Sequence, residues 1–369
     1  MRTSRPSTSA RLAVALAVLA TTAVSSPVPA DAATCTPTTR TIETKTYSDA
    51  LLLGPRGHVL ATEADAGATS SLWLHNPDGT AERVAAVNAA SPDGPRDVSA
   101  KGYVIGTDRH PGVFAPYTPW VYGLGDYWTI PLPADASDDY LAVALNHAGA
   151  TVGVHTNARR ASPAQTGYFS RPQLWPTLGS LPVTLPLPHS GYYVVGGVGR
   201  PLIDIRADGR ISAVVDDHAG TRYLARWKDP SAQPSLVQLP SGFELGDVAG
   251  RWVIGISYLT PSAGRAVIWS PTSATQLIAS IGRFIDVGVT ANGTYATTLS
   301  VEQNGASALN SLIGRGGAVP GDAQAAGLQV DVQQAAHGQL LLDGNNEVSV
   351  VACALNLPDS SEVTVSAWP

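Results

Sequence analysis

Lysine is nearly missing from this chain: three residues in 369, against 20 arginines. Charged residues of all kinds make up 14%, well below the roughly 25% of an average globular domain. Cysteine occurs twice, too rarely for a Cys-rich metal site or a disulfide-dense scaffold. The net charge of −6 comes without basic clusters, which argues against nucleic acid as a partner. No apolar run reaches the about 20 residues that a membrane-spanning helix needs. What is abundant is glycine and proline, 36 and 28 residues, together about 17% of the chain against roughly 12% in average usage. They fall in turn-like positions along the whole length, so many short strands are expected rather than long helices. The chain reads as soluble and all-β.

The first residues are not part of that fold. Arg2, Arg5 and Arg11 precede an apolar run from Leu12 to Val24, and Ala30-Asp31-Ala32 forms a small-x-small cleavage site. This is the layout of a secretory signal. Residues 1–32 are therefore expected to be removed, leaving residues 33–369 as a secreted, extracellular protein with no membrane anchor. Three arginines and one aspartate leave with the signal, taking the net charge to −8. In an oxidising compartment two cysteines usually pair. A Cys35–Cys353 bridge would close nearly the whole mature chain and contribute on the order of 5 kcal/mol through loop closure. The alternative is two separate buried thiols.

Internal repeats give the strongest signal. Lys101-Gly-Tyr-Val-Ile-Gly106, Gly250-Arg-Trp-Val-Ile-Gly255 and Asp208-Gly-Arg-Ile-Ser-Ala213 each place a glycine turn before a short apolar strand. Taking Gly57, Gly102, Gly149, Gly209, Gly250, Gly293 and Gly338 as markers, the spacings are 45, 47, 60, 41, 43 and 45 residues. An Asp-Val or Asp-Ile pair precedes the turn at Asp97, Asp204, Asp247, Asp286 and Asp331. A tryptophan follows it at Trp73, Trp120, Trp175, Trp227 and Trp269, and Leu-Pro or Pro-Leu-Pro strings end several units. Each unit has room for four short strands. One such sheet cannot cover both of its faces, but sheets set radially cover one another. The expected fold is a seven-bladed β-propeller of four-stranded antiparallel blades. Its ring would close near the termini, where the run Thr41–Tyr47 docks on the last blade beside the strand Glu347–Leu355 and brings Cys35 to Cys353.

This turn, strand and Leu-Trp pattern resembles the HAF-type extracellular repeats of bacterial secreted propellers, distant cousins of kelch-type blades. The resemblance covers nearly the whole mature chain through short, degenerate motifs. It implies a fold and an extracellular setting. HAF-type repeats carry no agreed activity, so the resemblance assigns no functional residue. The sialidase box is absent, and Tyr127-Trp128-Thr129 matches the YWTD pattern once without its aspartate.

Motifs that carry chemistry are few. No His-Glu-x-x-His, Gly-x-Ser-x-Gly, P-loop or dinucleotide fingerprint occurs, and nothing in the sequence points to a cofactor or a metal. Asp343-Gly-Asn-Asn346-Glu347 reads as a hairpin turn, with a cation site as the alternative. Asp135, Asp138 and Asp139 read as a solvated loop. The recurrent aspartates are expected to cap backbone N–H groups of their own turns, or else to form a ring of carboxylates. The tryptophans are expected to pack between blades, with sugar stacking as the alternative.

One sector stands out. In an up-and-down meander, the links between second and third strands gather on one face. In the second to fourth units these links carry Arg109, His110 and Tyr117, then His155, Arg159, Arg160, Tyr168 and Arg171, then Asp216, His218 and Tyr223. Arginine forks suit carboxylates or sulfates, tyrosine faces suit sugars or peptide, and histidine responds to pH near neutrality. The expectation is a non-catalytic, monomeric binding propeller that docks an extracellular glycan or an exported protein on this sector. The contrasting expectation is a hydrolase or lyase acting on an extracellular polysaccharide.

Overall fold

The computed structural model describes residues 38–43, 48–54, 58–64, 70–84, 94–109, 117–134, 136, 138–156, 170–197, 200–260, 263–291, 293–303, 306–315, 328–330, 337–342, 351–356 and 362–368. The chain divides into Met1–Cys35, which lies outside the described residues, and Thr36–Pro369, which holds every strand below. No described residue is helical.

The strands follow the repeat. The first unit contains β2 (Ser48–Gly54), β3 (His58–Ala64), β4 (Ser70–His75) and β5 (Ala81–Val84). The second contains β6 (Pro95–Val98), β7 (Val104–Arg109), β8 (Tyr117–Gly123) and β9 (Asp126–Thr129). In the third are β10 (Asp139–Leu145), β11 (Thr151–Thr156), β12 (Ser170–Trp175) and β13 (Val183–Thr184). The fourth has five: β14 (Tyr193–Val194), β15 (Ile203–Ile205), β16 (Ile211–Asp216), β17 (Arg222–Trp227) and β18 (Ser235–Gln238). Here β14 and β15 both pair with β16, end to end.

The fifth and sixth units share one sheet, formed by β19 (Glu244–Ala249), β20 (Trp252–Thr260), β21 (Ala263–Ser270), β22 (Ser273–Val289), β23 (Thr294–Gln303), β24 (Ala306–Arg315) and β25 (Leu328–Val330). The 17-residue β22 makes this possible. Its first part pairs with β21 and its second with β23. The last sheet has the order β1-β28-β27-β26, from β26 (His337–Leu342), β27 (Val351–Asn356), β28 (Glu362–Trp368) and the N-terminal β1 (Thr38–Glu43). The expected terminal strand thus begins three residues earlier than the alternation suggested, and of the expected strand Glu347–Leu355 the part from Val351 lies in β27, residues 347–350 being outside the described residues. All strand pairs are antiparallel.

The marker glycines recur because the hairpins demand them. Gly102, Gly149, Gly209, Gly250 and Gly293 have φ of 77°, 91°, 79°, 57° and 90°, in the region that side chains with a Cβ rarely enter. In the second, third and fourth units the five-residue links close alike. Ser99, Asn146 and Arg206 each donate their N–H four residues ahead and accept, at the carbonyl, from the glycine N–H.

Burial is concentrated between sheets. Leu60, Leu72 and Leu74 of the first unit meet Val98, Val104 and Trp120 of the second. Ile105, Val121 and Ile130 of the second meet Tyr140, Leu145 and Trp175 of the third. Val152, Val154 and Leu185 meet Ile205, Ile211 and Trp227, and the fourth unit's Leu202, Val214 and Leu224 meet Val253 and Trp269 of the fifth. Trp120, Trp175, Trp227 and Trp269 therefore each pack onto the preceding unit. Trp120, Trp175, Trp227 and Trp269 are buried as expected, whereas Trp73 is only half-buried, its indole N–H on Ser71 Oγ at 3.1 Å.

The Leu-Pro strings acquire a role here. Trp175 Nε1 donates to the Pro131 carbonyl at 3.1 Å, and Trp227 Nε1 to the Pro186 carbonyl at 2.9 Å. A buried indole needs such an acceptor. Trp120 follows a unit with no Leu-Pro string, and its Nε1 is buried without a partner.

Candidate functional site

The described part of the predicted face lies at strand ends. Arg109 pairs across the ladder with Tyr117, His155 with Arg171, and Asp216 with Arg222. In three successive units polar and aromatic residues thus occupy the last pair, or in the third unit the pair before the last (Thr156–Ser170), at the same end of the ladder. His110, Arg159, Arg160 and Tyr168 lie outside the described residues, as does the Arg109 side chain.

In the third unit, His155 Nε2 lies 3.1 Å from Asp138 Oδ2, and its ring stacks on Tyr140 at 4.5 Å and 14°. Tyr140 in turn meets Trp175 edge-on at 6.4 Å. Asp139 Oδ1 accepts from the Tyr117 N–H at 3.0 Å, tying the second unit to the third. Asp138 and Asp139 are therefore not the solvated loop that the sequence suggested. One orients an imidazole and the other clasps a neighbouring strand.

The fourth unit holds a denser group. Asp216 is buried; its Oδ1 accepts from the His218 N–H at 2.9 Å and its Oδ2 lies 3.9 Å from Arg222 Nε. His218 has φ of 65°, a left-handed conformation uncommon outside glycine. Its exposed ring lies 4.8 Å from that of Tyr193. The Tyr223 hydroxyl donates to Asp217 Oδ2 at 3.3 Å, and its ring sits 5.8 Å from Tyr192, which also meets His189 at 4.6 Å. Burial and then the Asp216 carboxylate push the Tyr193 phenol above its usual 10. Beside this group opens a cleft of 710 Å³ lined by Asp216, Thr221, Arg222, Gln238, Pro240 and Phe243. His189, Tyr192 and Tyr193 were missed in the sequence because they precede the marker turn. The tandem tyrosines were the available signal.

The recurrent aspartates depart from expectation. Asp97 does accept from its neighbour Val98 N–H at 2.8 Å, but its Oδ2 accepts from Leu145 N–H of the next unit at 2.6 Å. Asp204 accepts from Gly250 N–H at 3.3 Å and Asp247 from Val289 N–H at 3.1 Å, again one unit ahead. These carboxylates lace successive first strands together instead of capping their own turns alone. Burial pushes the Asp97 carboxyl up to about 6 against its backbone hydrogen bonds. Burial, then the Asp247 carboxylate, push Asp204 up to about 7. Arg200 relieves the crowding, its Nη2 2.6 Å from Asp247 Oδ1. Among the described residues, no three His, Cys, Asp or Glu side chains converge as a metal site would require. The segment Asp343–Glu347 lies outside the described residues.

No family model matches the chain, and no curated protein does. Solved structures do. The β-propeller domain of the Trilobed protease from Pyrococcus furiosus superposes with a TM-score of 0.51 at 11% identity, over 88% of this chain and 94% of that one. Streptogramin B lyase aligns at 0.48 and 12% identity over 90% of this chain and 98% of that one. Virginiamycin B lyase from Staphylococcus aureus aligns at 0.47 and 10% identity over 90% and 100%. Identities this low speak for fold and not for chemistry. The antiparallel sheets and the match to the Pyrococcus propeller domain together support an all-β propeller architecture.

Proposed function

We propose that the chain is a secreted, seven-bladed propeller that binds an extracellular glycan or an exported protein without transforming it. The observation that carries this reading is two groups of flat side chains, His189–Tyr192–Tyr223 and Tyr193–His218, on either side of the fourth sheet at the end of the strands that holds Asp216. They stand beside the cleft that holds Arg222 and Asp216. Aromatic faces stack on sugar rings or peptide groups, and the Arg–Asp pair supplies donors and acceptors for hydroxyls or amides. The glycan is the ligand this combination favours. Arg109, His110, Tyr117, His155, Arg159, Arg160, Tyr168 and Arg171 extend the surface over the neighbouring blades in the same reading.

Support for seven blades in a closed ring comes from contacts between first strands. They run from β2 to β6, β10, β15, β19, β22 and β26, and β26 returns to β2. The pairing of β1 with β28 supports a seam fastened by the N-terminal strand. Cys353 pairs with Ser366, and Ser366 with Thr39, four residues from Cys35. We therefore retain the Cys35–Cys353 bridge as part of the proposal. Cys35 itself lies outside the described residues, with the signal segment 1–32.

Retention on a panel of immobilised polysaccharides tests the reading. The wild-type protein should be retained and a Tyr192→Ala/Tyr223→Ala variant should be lost from the column. A protein that ignores every polysaccharide but captures an exported protein would shift the ligand to the second class. The His155–Asp138 pair is the one feature that favours the enzymatic alternative, since a histidine oriented by a carboxylate suits proton transfer. New reducing ends in the same incubations, abolished by His155→Gln, would replace the binding reading with it.

A further inference from the structure

The opposite ends of the same strands carry a second feature. A cavity of 370 Å³ opens where the first hairpin of the fourth unit meets the fifth. Arg206, Arg210, Ser212, Arg226, Lys228 and Arg251 line it, five cations in a chain of net charge −6. A counter-charge is Asp208, whose Oδ2 lies 3.6 Å from both Arg206 Nη2 and Arg210 Nε and whose side chain is partly open to solvent. Those separations exceed hydrogen-bond range.

Three of these residues break the pattern of their neighbours. The ladder position after the hairpin's closing pair is Ile105–Val121 in the second unit, Val152–Leu174 in the third and Val253–Trp269 in the fifth. All are buried and apolar. In the fourth unit that same position is Ser212–Arg226. The hairpin's first residue is Ser99 in the second unit and Asn146 in the third, each accepting its own turn's N–H groups. Here it is Arg206, and Asp208 accepts from the Arg210 N–H instead. The substituted groups are left unsatisfied: Ser212 Oγ, Arg206 Nε and Arg226 Nε are buried with no hydrogen-bond partner. Buried donors without acceptors are costly and rare in native proteins. The fold's own grammar supplies an apolar pair here and did not require the change.

The surroundings hold the cations in place. The Arg206 carbonyl accepts from Asn146 Nδ2 of the preceding unit at 3.3 Å. The Arg251 guanidinium lies over the Trp252 ring at 5.1 Å. Guanidinium groups stay charged at any physiological pH and match the oxygens of tetrahedral anions in pairs. A cavity of this size falls at the small end of ligand pockets.

We propose that this cavity is an oxyanion-binding site that takes a phosphate or sulfate group, free or esterified to a single sugar. Ser212 Oγ and the Nε–H groups of Arg206 and Arg226 donate to it, with Arg210, Lys228 and Arg251 closing the rim. It lies at the other end of β16 from Asp216, so it does not depend on the face proposed for the glycan.

Isothermal titration of the full mature protein with inorganic phosphate and with inorganic sulfate, at low ionic strength, tests this. Wild-type protein should bind at least one of them, more weakly as sodium chloride is added. A Ser212→Val/Arg226→Leu variant restores the neighbours' apolar pair. It should fold at least as stably and bind at least tenfold more weakly. Arg210→Gln/Arg251→Gln, at exposed positions, is the second variant and should weaken binding at least threefold if the first fails to fold. Glucose 6-phosphate and glucose 6-sulfate, against glucose, separate the two forms of ligand. Tighter binding of an ester than of the free anion assigns an esterified sugar, and equal affinity assigns the free anion. Absence of binding by both inorganic anions and both esters, or undiminished binding by the folded variants, would overturn the proposal.

Discussion

Replacing Asp204 with asparagine should change how this protein's stability depends on pH. The Asp204 carboxyl is raised from 3.8 to about 7, by burial first and by the Asp247 carboxylate second. A carboxyl that holds its proton more tightly folded than unfolded stabilises the fold fully below pH 3.8. That contribution is lost as pH rises through about 7. A shift of this size corresponds to roughly 4 kcal/mol. Asp204 keeps part of its surface exposed, so water screening should leave about 2 kcal/mol. The asparagine amide retains an oxygen for the Gly250 N–H and has no charge to bury. For a chain of this length the difference amounts to about 3 °C in Tm. Thermal unfolding from pH 4.5 to 8.5 at fixed ionic strength should show the wild-type curve falling across the window and the Asp204→Asn curve falling less. Arg200→Met should steepen the fall, because its guanidinium lowers the cost of Asp97, Asp204 and Asp247 alike. Parallel wild-type and Asp204→Asn curves between pH 5 and 8 would refute the reasoning.

Other outcomes follow from features at the seams and the face. Trp175→Phe and Trp227→Phe keep most of the packed ring but leave the Pro131 and Pro186 carbonyls without their indole donors. Each should cost about 1 kcal/mol in denaturant unfolding, against about 3–5 kcal/mol for alanine at the same positions. Peptide mapping of the purified protein without reductant should recover Cys35 and Cys353 as one linked pair, and two alkylatable thiols would remove the bridge. Exchanging the link 155–171 for the short link 257–265 should preserve the far-ultraviolet spectrum and weaken retention on the polysaccharide identified by the panel at least tenfold. Unchanged retention would place the ligand elsewhere.

The repeat was legible because the hairpins at Gly102, Gly149, Gly209, Gly250 and Gly293 need a positive φ that only glycine supplies cheaply; Gly57 lies outside the described residues, and Gly338 sits within β26 instead of in a turn. The tryptophans were legible as core because their phase with that turn puts them on one strand of each sheet. What the sequence could not reveal depends on register. Asp97 reaches Leu145, 48 residues away, and no local pattern distinguishes that bond from a cap on its own turn. Ser212 and Arg226 look like ordinary alternating surface residues until the ladder shows them opposite one another. The continuous β22 hid for a similar reason: the turn expected between the fifth and sixth units is instead strand running through Ser280-Ile281-Gly282. The candidate face was half legible. Its link residues stood out as departures from the repeat, whereas His189, Tyr192 and Tyr193 belong to the connection between units.

The indole-to-carbonyl latches have a direction. In both, the acceptor belongs to the earlier unit and the donor to the later one, and the aspartate lacing likewise has its carboxylate in the earlier unit. A chain delivered from its N-terminus thus presents every receptor before its plug arrives. Each new sheet can dock on a finished surface instead of waiting for the whole molecule. Shortening from the C-terminus should therefore remove sheets one at a time and leave their predecessors with solvated carbonyls. Shortening from the N-terminus would instead lay bare the apolar indole face of the first surviving unit along with its lost acceptor, so fragments that keep the beginning should fold more readily than fragments that keep the end.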